Sequence, residues 1–140
     1  PQIIDACNVG ILNAHMGSLP AFRGVNVLEW SLFYEKPIGV TLHFIEKGID
    51  TGDILLFKEI TKEPGDKIVD LREKSSIINV ELILEAVNNL CHGNQKRIKQ
   101  YPEEGKQYFV MHPRLKLVLE KKLQSNRSKF LKYKDSALTN

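Results

Sequence analysis

The chain has 140 residues, 42% of them apolar and 26% charged, with a formal net charge of +3. That balance describes one ordinary globular domain and does not demand a nucleic-acid partner. No run of about 18 apolar residues occurs, so no membrane span is expected.

Two distant cysteines, Cys7 and Cys91, form no CxxC pair or disulfide framework and predict buried or half-buried thiols in a reducing cytoplasm. No signal peptide is expected. The chain opens on proline rather than methionine, which raises the expectation that N-terminal sequence is missing or that this is a shortened relative.

In chain order, the apolar run Val9 to Asn13 predicts a short, central, buried strand. Residues 16–25 read as a loop, with Ser18, Pro20 and Gly24 allowing tight turns. Asn26 is placed as the N-cap of a helix whose apolar face holds Val27, Leu28, Trp30, Ser31, Leu32 and Tyr34. The aromatic side chains Trp30, Phe33 and Tyr34 are assigned to the helical core.

After a stop at residues 35–39, Val40 to Ile45 predicts a β-branched, aromatic strand. Val40, Leu42 and Phe44 fall on one face; Thr41, His43 and Ile45 fall on the other. A glycine-rich connection, 46–53, leads to a strand over 54–60, so the two strands are expected to pair antiparallel.

Asp66 is read as the cap of a long helix ending near Cys91, with Ile68, Leu71, Ile78, Leu82, Ala86 and Leu90 at helical spacing and Gly93 beyond it. Residues 94–105 read as a polar loop and Tyr108 to Met111 as a short strand. A last amphipathic helix starts at Pro113. The basic residues of 121–134 favour a solvated tail over an RNA contact. The expected division is a catalytic unit over 1–124 and a flexible basic tail over 125–140.

The chemistry concentrates at the end of the first strand. Asn13 and His15 are two positions apart and share a face. If the next strand pairs with it, the connection carrying Asp50 closes over that edge. An amide donor, an imidazole and a carboxylate suit attack of an amine on a carbonyl carbon. Asn13 and His15 can donate to the developing oxyanion. Asp50 would raise the imidazole pKa and relay the proton that the amine loses. No serine or cysteine nucleophile stands beside a base, which disfavours a covalent acyl-enzyme. His92 and His112 have no ligand-like spacing, so no metal is expected.

The wider pattern is more specific. Asn13-Ala-His15, Ser18-Leu-Pro20, Arg23-Gly24, Gly39-Val-Thr41 and Gly48-Ile-Asp-Thr-Gly-Asp53 together resemble the 10-formyltetrahydrofolate-dependent formyltransferases, over roughly residues 1–60. The resemblance implies an α/β fold, an open and mostly parallel sheet flanked by helices, whose N-terminal Rossmann-like half is absent or truncated here.

It also implies catalysis by Asn13, His15 and Asp50, and a formyl-folate site at Gly17, Ser18, Leu19, Pro20, Gly48, Ile49, Thr51 and Gly52, with the pteridine against the 48–52 loop. Arg23 and His43 are candidate contacts to the acceptor. Met16-Gly-Ser-Leu-Pro20 departs from the family's usual Pro-Ser-Leu-Leu-Pro. The segment Val25 to Trp30 departs from the methionyl-tRNA enzymes, which favours a small amine such as an amino sugar over tRNA. The alternatives are hydrolysis of 10-formyltetrahydrofolate by the same three residues, and a shortened chain kept as a binding module.

Overall fold

The computed structural model describes the backbone of residues 2–137 and the side chains of residues 2–125 apart from Pro102. Its elements are α1 (Gln2–Asp5), β1 (Leu12–His15), β2 (Phe22–Gly24), α2 (Val27–Phe33), β3 (Gly39–Phe44), β4 (Ile54–Glu59), α3 (Ile68–Cys91), a 3-10 turn (Pro102–Glu104), β5 (Lys106–Tyr108) and α4 (Pro113–Ala137).

β3 is the centre of the molecule. Its alternating β-branched and aromatic residues are all buried, and it lies between β1 and β4. Val40, Leu42 and Phe44 pack toward α3, where Leu71, Leu82 and Ala86 complete the core. Ile68, Ile78 and Leu90 flank that core at the expected helical spacing. The opposite face of β3 carries Thr41 and His43, paired across the strand with His15 and Asn13. The register therefore gathers four polar side chains on the face that α3 leaves open.

The α/β class and the antiparallel pairing of β3 with β4 are as expected; the mostly parallel sheet is not what the described residues form. Among the described residues the three-stranded sheet is antiparallel throughout, and the parallel pair is β2 with β5. The compact connection 45–53 is too short for a parallel crossover and accounts for β3 with β4; β1 and β3 are joined by a longer stretch that includes α2, so length does not set their antiparallel register.

β1 starts at Leu12 instead of Val9, which is exposed, and it lies at the edge of this sheet among the described residues. The stretch read as a loop, 16–25, holds β2. β5 begins two residues before the predicted strand and stops at Tyr108; Phe109 and Val110 are exposed, and the Phe109 carbonyl is held by the Trp30 indole N–H.

Several local assignments also change. Asn26 does occupy the cap position of α2, yet its amide oxygen accepts from the Met111 N–H, and no side-chain cap bond forms. Lys67, not Asp66, precedes α3; Asp66 is engaged by the Glu63 N–H and the Lys74 ammonium.

Trp30 and Phe33 are half-buried and Tyr34 is exposed, in a surface aromatic cluster with Tyr108. Burial on α2 instead includes Glu29, paired with Arg72 of α3. Both cysteines are exposed. The backbone of α4 continues to Ala137, through most of the expected tail 125–140; residues 138–140 and the side chains from 126 on lie outside the described residues.

Candidate active site

Asn13, His15, His43 and Asp50 converge at the end of the sheet. β1 and β3 present the first three on one face, and the turn after β3 brings in the fourth. Asp50 takes a left-handed backbone conformation (φ 52°), one that aspartate tolerates better than most residues. Gly52, next but one, must lack a side chain, because a Cβ there would lie 1.9 Å from the Phe44 carbonyl oxygen. This tight return leaves Ile49 exposed and turns the Asp50 carboxylate inward.

The carboxylate meets three groups. Its Oδ2 lies 3.4 Å from His15 Nδ1 and accepts the Gly24 N–H at 2.8 Å; its Oδ1 lies 3.6 Å from His43 Nε2. Burial pushes the Asp50 pKa up, but the neighbouring His43 and His15 and the Gly24 amide outweigh it and hold the group below its ordinary value.

Hydrogen-bond partners decide both histidine tautomers. His15 Nε2 is 2.8 Å from the Phe22 carbonyl, which can only accept, so Nε2 carries the proton and neutral His15 turns a lone pair on Nδ1 toward Asp50. His43 Nδ1 is 2.7 Å from the Phe44 carbonyl and donates to it, and its Nε2 accepts from the Asn13 amide at 3.1 Å. One Asn13 N–H is thereby used and the second is available.

The expectation that Asp50 raises the His15 pKa holds only as one contribution. Burial is the larger effect and lowers His15 below its ordinary value, with Asp50 and the Phe22 carbonyl opposing it. In the described structure His15 is therefore a weaker base than free imidazole, and it stays neutral over a wider pH range.

Residues 1–87 match the Formyl transferase family. The chain belongs to that family. Two similar relatives are methionyl-tRNA formyltransferases. That of Thermodesulfovibrio yellowstonii is 39% identical over 93 residues, which are 66% of this chain and 30% of the relative. That of Caldanaerobacter subterraneus is 33% identical over 105 residues, covering 74% and 34%. The chain thus spans about a third of the length of these relatives.

Among solved structures, the formyltransferase PseJ from Anoxybacillus kamchatkensis, crystallised with UDP-4,6-dideoxy-4-formamido-L-AltNAc and tetrahydrofolate, is 29% identical with a TM-score of 0.69. The match covers 77% of this chain and 57% of PseJ. HypX from Aquifex aeolicus is 28% identical with a TM-score of 0.62, over 79% and 22% of the two chains.

The loop after His15 is built on Thr41. The Thr41 hydroxyl donates to the Gly17 carbonyl at 2.6 Å and accepts the Leu19 N–H at 3.1 Å. Ser18 donates to the Pro37 carbonyl. The departure at Gly17 has a local reason. A Cβ there would stand 2.7 Å from His15 Nε2, 2.8 Å from Val27 Cγ2 and 2.9 Å from the Phe22 carbonyl. The loop passes over the His15–Phe22 bond only because residue 17 has no side chain.

Arg23 is buried, and its guanidinium donates to the Gly105 carbonyl at 3.1 Å, joining β2 to the segment before β5. Gly48, Ile49 and Thr51 lie on the Asp50 turn, as their spacing requires.

Three groups in the site went unread in the sequence: the Phe22 carbonyl, the Gly24 N–H and the side chain of Gln100, which donates to the carbonyls of Asp50 and Gly52. Two are backbone groups, which every residue type but proline supplies. Gln100 lies in a stretch whose polar composition resembles a solvent loop, yet it is buried.

Proposed function

We propose that this chain carries the reacting site of a transferase that moves a formyl group from 10-formyltetrahydrofolate to a primary amine on a small acceptor such as an amino sugar. The observation that carries the reading is the cluster itself: a neutral imidazole, an ionised carboxylate and a free amide N–H at one sheet edge.

In this reading the acceptor amine attacks the formyl carbon. The new C–N bond forms as the carbonyl oxygen takes the negative charge, and the remaining Asn13 N–H donates to it. His15 accepts the amine's surplus proton on Nδ1, and the imidazolium so formed is stabilised by Asp50. Collapse of the intermediate breaks the bond to N10 of the folate, which leaves with one proton returned from His15. The products are a formamide and tetrahydrofolate. His15 thus serves as base and acid; its one N–H in the neutral state is engaged by Phe22, so the oxyanion role falls to Asn13.

The turn 48–52 fits the folate. Its backbone is tight, Asp50 faces in, and Ile49 offers apolar surface to a flat ring. Residues 17–20 line the neighbouring edge. His43 holds Asn13 and borders the acceptor side. An amino sugar acceptor is favoured by the segment 25–30 and by the sugar-nucleotide product in the PseJ crystal structure. The methionyl-tRNA relatives make tRNA the acceptor to test against it.

The decisive experiment mixes the protein with 10-formyltetrahydrofolate, with and without nucleotide-linked amino sugars and charged initiator tRNA. Amine-dependent release of tetrahydrofolate supports transfer. Release independent of any amine assigns hydrolysis instead.

A further inference from the structure

Residues 98–108 lie beyond the stretch that matches the family and touch both halves of the site. Ile98 pairs with Ile54 through two backbone bonds of 2.8 Å, which anchors the segment beside the Asp50 turn. Gln100 then donates to the carbonyl of Asp50 at 3.3 Å and to that of Gly52.

Further on, the Lys106 N–H donates to the Ala21 carbonyl at 3.1 Å, and β5 pairs in parallel with β2. The Val25 N–H donates to the Tyr108 carbonyl at 3.0 Å, and the Phe22 and Tyr108 rings stack at 5.1 Å. β2 is the strand whose Phe22 carbonyl holds His15 Nε2 and whose Gly24 N–H holds Asp50 Oδ2. The segment therefore braces Asp50 from its own turn and braces the two backbone groups that aim Asp50 and His15 at each other.

We propose that residues 98–108 form a positioning strap for the His15–Asp50 pair, with Gln100 as its principal positioning residue. The choice of glutamine supports this. Gln100 is 6% exposed, and only one orientation of its amide sets donors against two carbonyls. That orientation leaves Oε1 without a partner among the described residues. A side chain kept only to fill space would be apolar and would strand no acceptor there. Glutamine is explained by the two carbonyls it holds, which fix the direction of the Asp50 carboxylate.

The proposal rests on His15 and Asp50 being the reacting pair, and its test separates the two claims. Gln100→Met keeps the length and removes both donors. Two readouts follow: the titration midpoints of His15 and Asp50 by NMR, which need no substrate, and kcat and KM for amine-dependent formyl transfer. With the carboxylate released, the Asp50 midpoint is expected to move up and the His15 midpoint down, while kcat falls on the order of tenfold or more and KM changes less.

Lys106→Pro, which removes the amide that holds Ala21, is expected to move the same midpoints from the β2 side. Unchanged midpoints in a folded variant overturn the strap, even if the melting temperature drops. Shifted midpoints in a protein that transfers no formyl group uphold the strap and sink the transferase reading instead.

Discussion

His15 Nδ1 faces Asp50 Oδ2 at 3.4 Å while the other ring nitrogen donates to the Phe22 carbonyl at 2.8 Å. The carbonyl leaves the ring one way to face, so the nitrogen that meets Asp50 is the one free to change its proton. This arrangement has consequences for stability as well as for rate.

Stability should fall on mild acidification through His15. Burial holds its folded pKa below the ordinary 6.5. The unfolded chain therefore binds this proton at higher pH than the folded chain, and stability rises with pH wherever that holds. The contribution is complete above the ordinary value and is lost as pH falls from there through the lowered folded value.

Asp50 has the same sign at lower pH: its depressed carboxyl contributes above 3.8, and that contribution is lost as pH falls through the folded value. Urea midpoints measured between about pH 7 and 5 for the natural chain and for His15→Gln should converge toward acid. Parallel curves would contradict a lowered His15.

Asp50→Asn should retain an acceptor for the Gly24 N–H and lose the charge that faces His15. Turnover is expected to fall by about 100-fold or more, as for loss of a proton-transfer partner. The NMR midpoint of His15 should fall further below 6.5, because the Asp50 carboxylate is the largest influence opposing burial. Near-normal turnover with a shifted midpoint would remove Asp50 from the proton path.

Thr41→Val isolates the loop from the reacting groups. The methyl-for-hydroxyl exchange preserves packing at a fully buried position, but it strands the Leu19 N–H and the Gly17 carbonyl. Leaving such groups unpaired costs about 2 kcal/mol in total. The unfolding midpoint should drop accordingly, and the Leu19 amide should exchange with deuterium faster. Unchanged exchange at Leu19 would mean that the loop is held by other contacts.

Much of this site was legible because strand periodicity is local. Asn13 and His15 share a face at a spacing of two, Val40 to Phe44 alternate, and the cross-strand register then sets His43 beside Asn13. The turn containing Asp50 announced itself through its glycines. What the sequence concealed depends on partners far along the chain. β2 is three residues long and exists because β5 pairs with it from more than eighty residues away.

Its carbonyl and amide leave no trace in residue type, and Gln100 is buried between the exposed Lys99 and Tyr101. The net direction of the His15 pKa is hidden for a related reason: the carboxylate that raises it can be named from sequence, but the burial that outweighs it comes from the loop 16–24 folding back over the ring.

Gly17→Ala tests that fold-back most directly. The added Cβ would meet His15 Nε2, Val27 Cγ2 and the Phe22 carbonyl, all inside 3.0 Å. None of the three can yield cheaply. The ring is held by Phe22, Val27 is buried in the first turn of α2, and the carbonyl belongs to β2. Overpacking of this kind costs roughly 1–3 kcal/mol.

The first atom to move should be His15, since a ring pivots more readily than a paired strand. The expected result is therefore uneven: a melting temperature lowered by about 2–12 °C, at roughly 2–4 °C per kcal/mol for a domain near 150 residues, and turnover lowered by about 100-fold as the imidazole is displaced. Gly17→Ser should behave alike, because the clash is at Cβ. A variant that keeps full turnover while losing stability would show that the loop, not the ring, gives way.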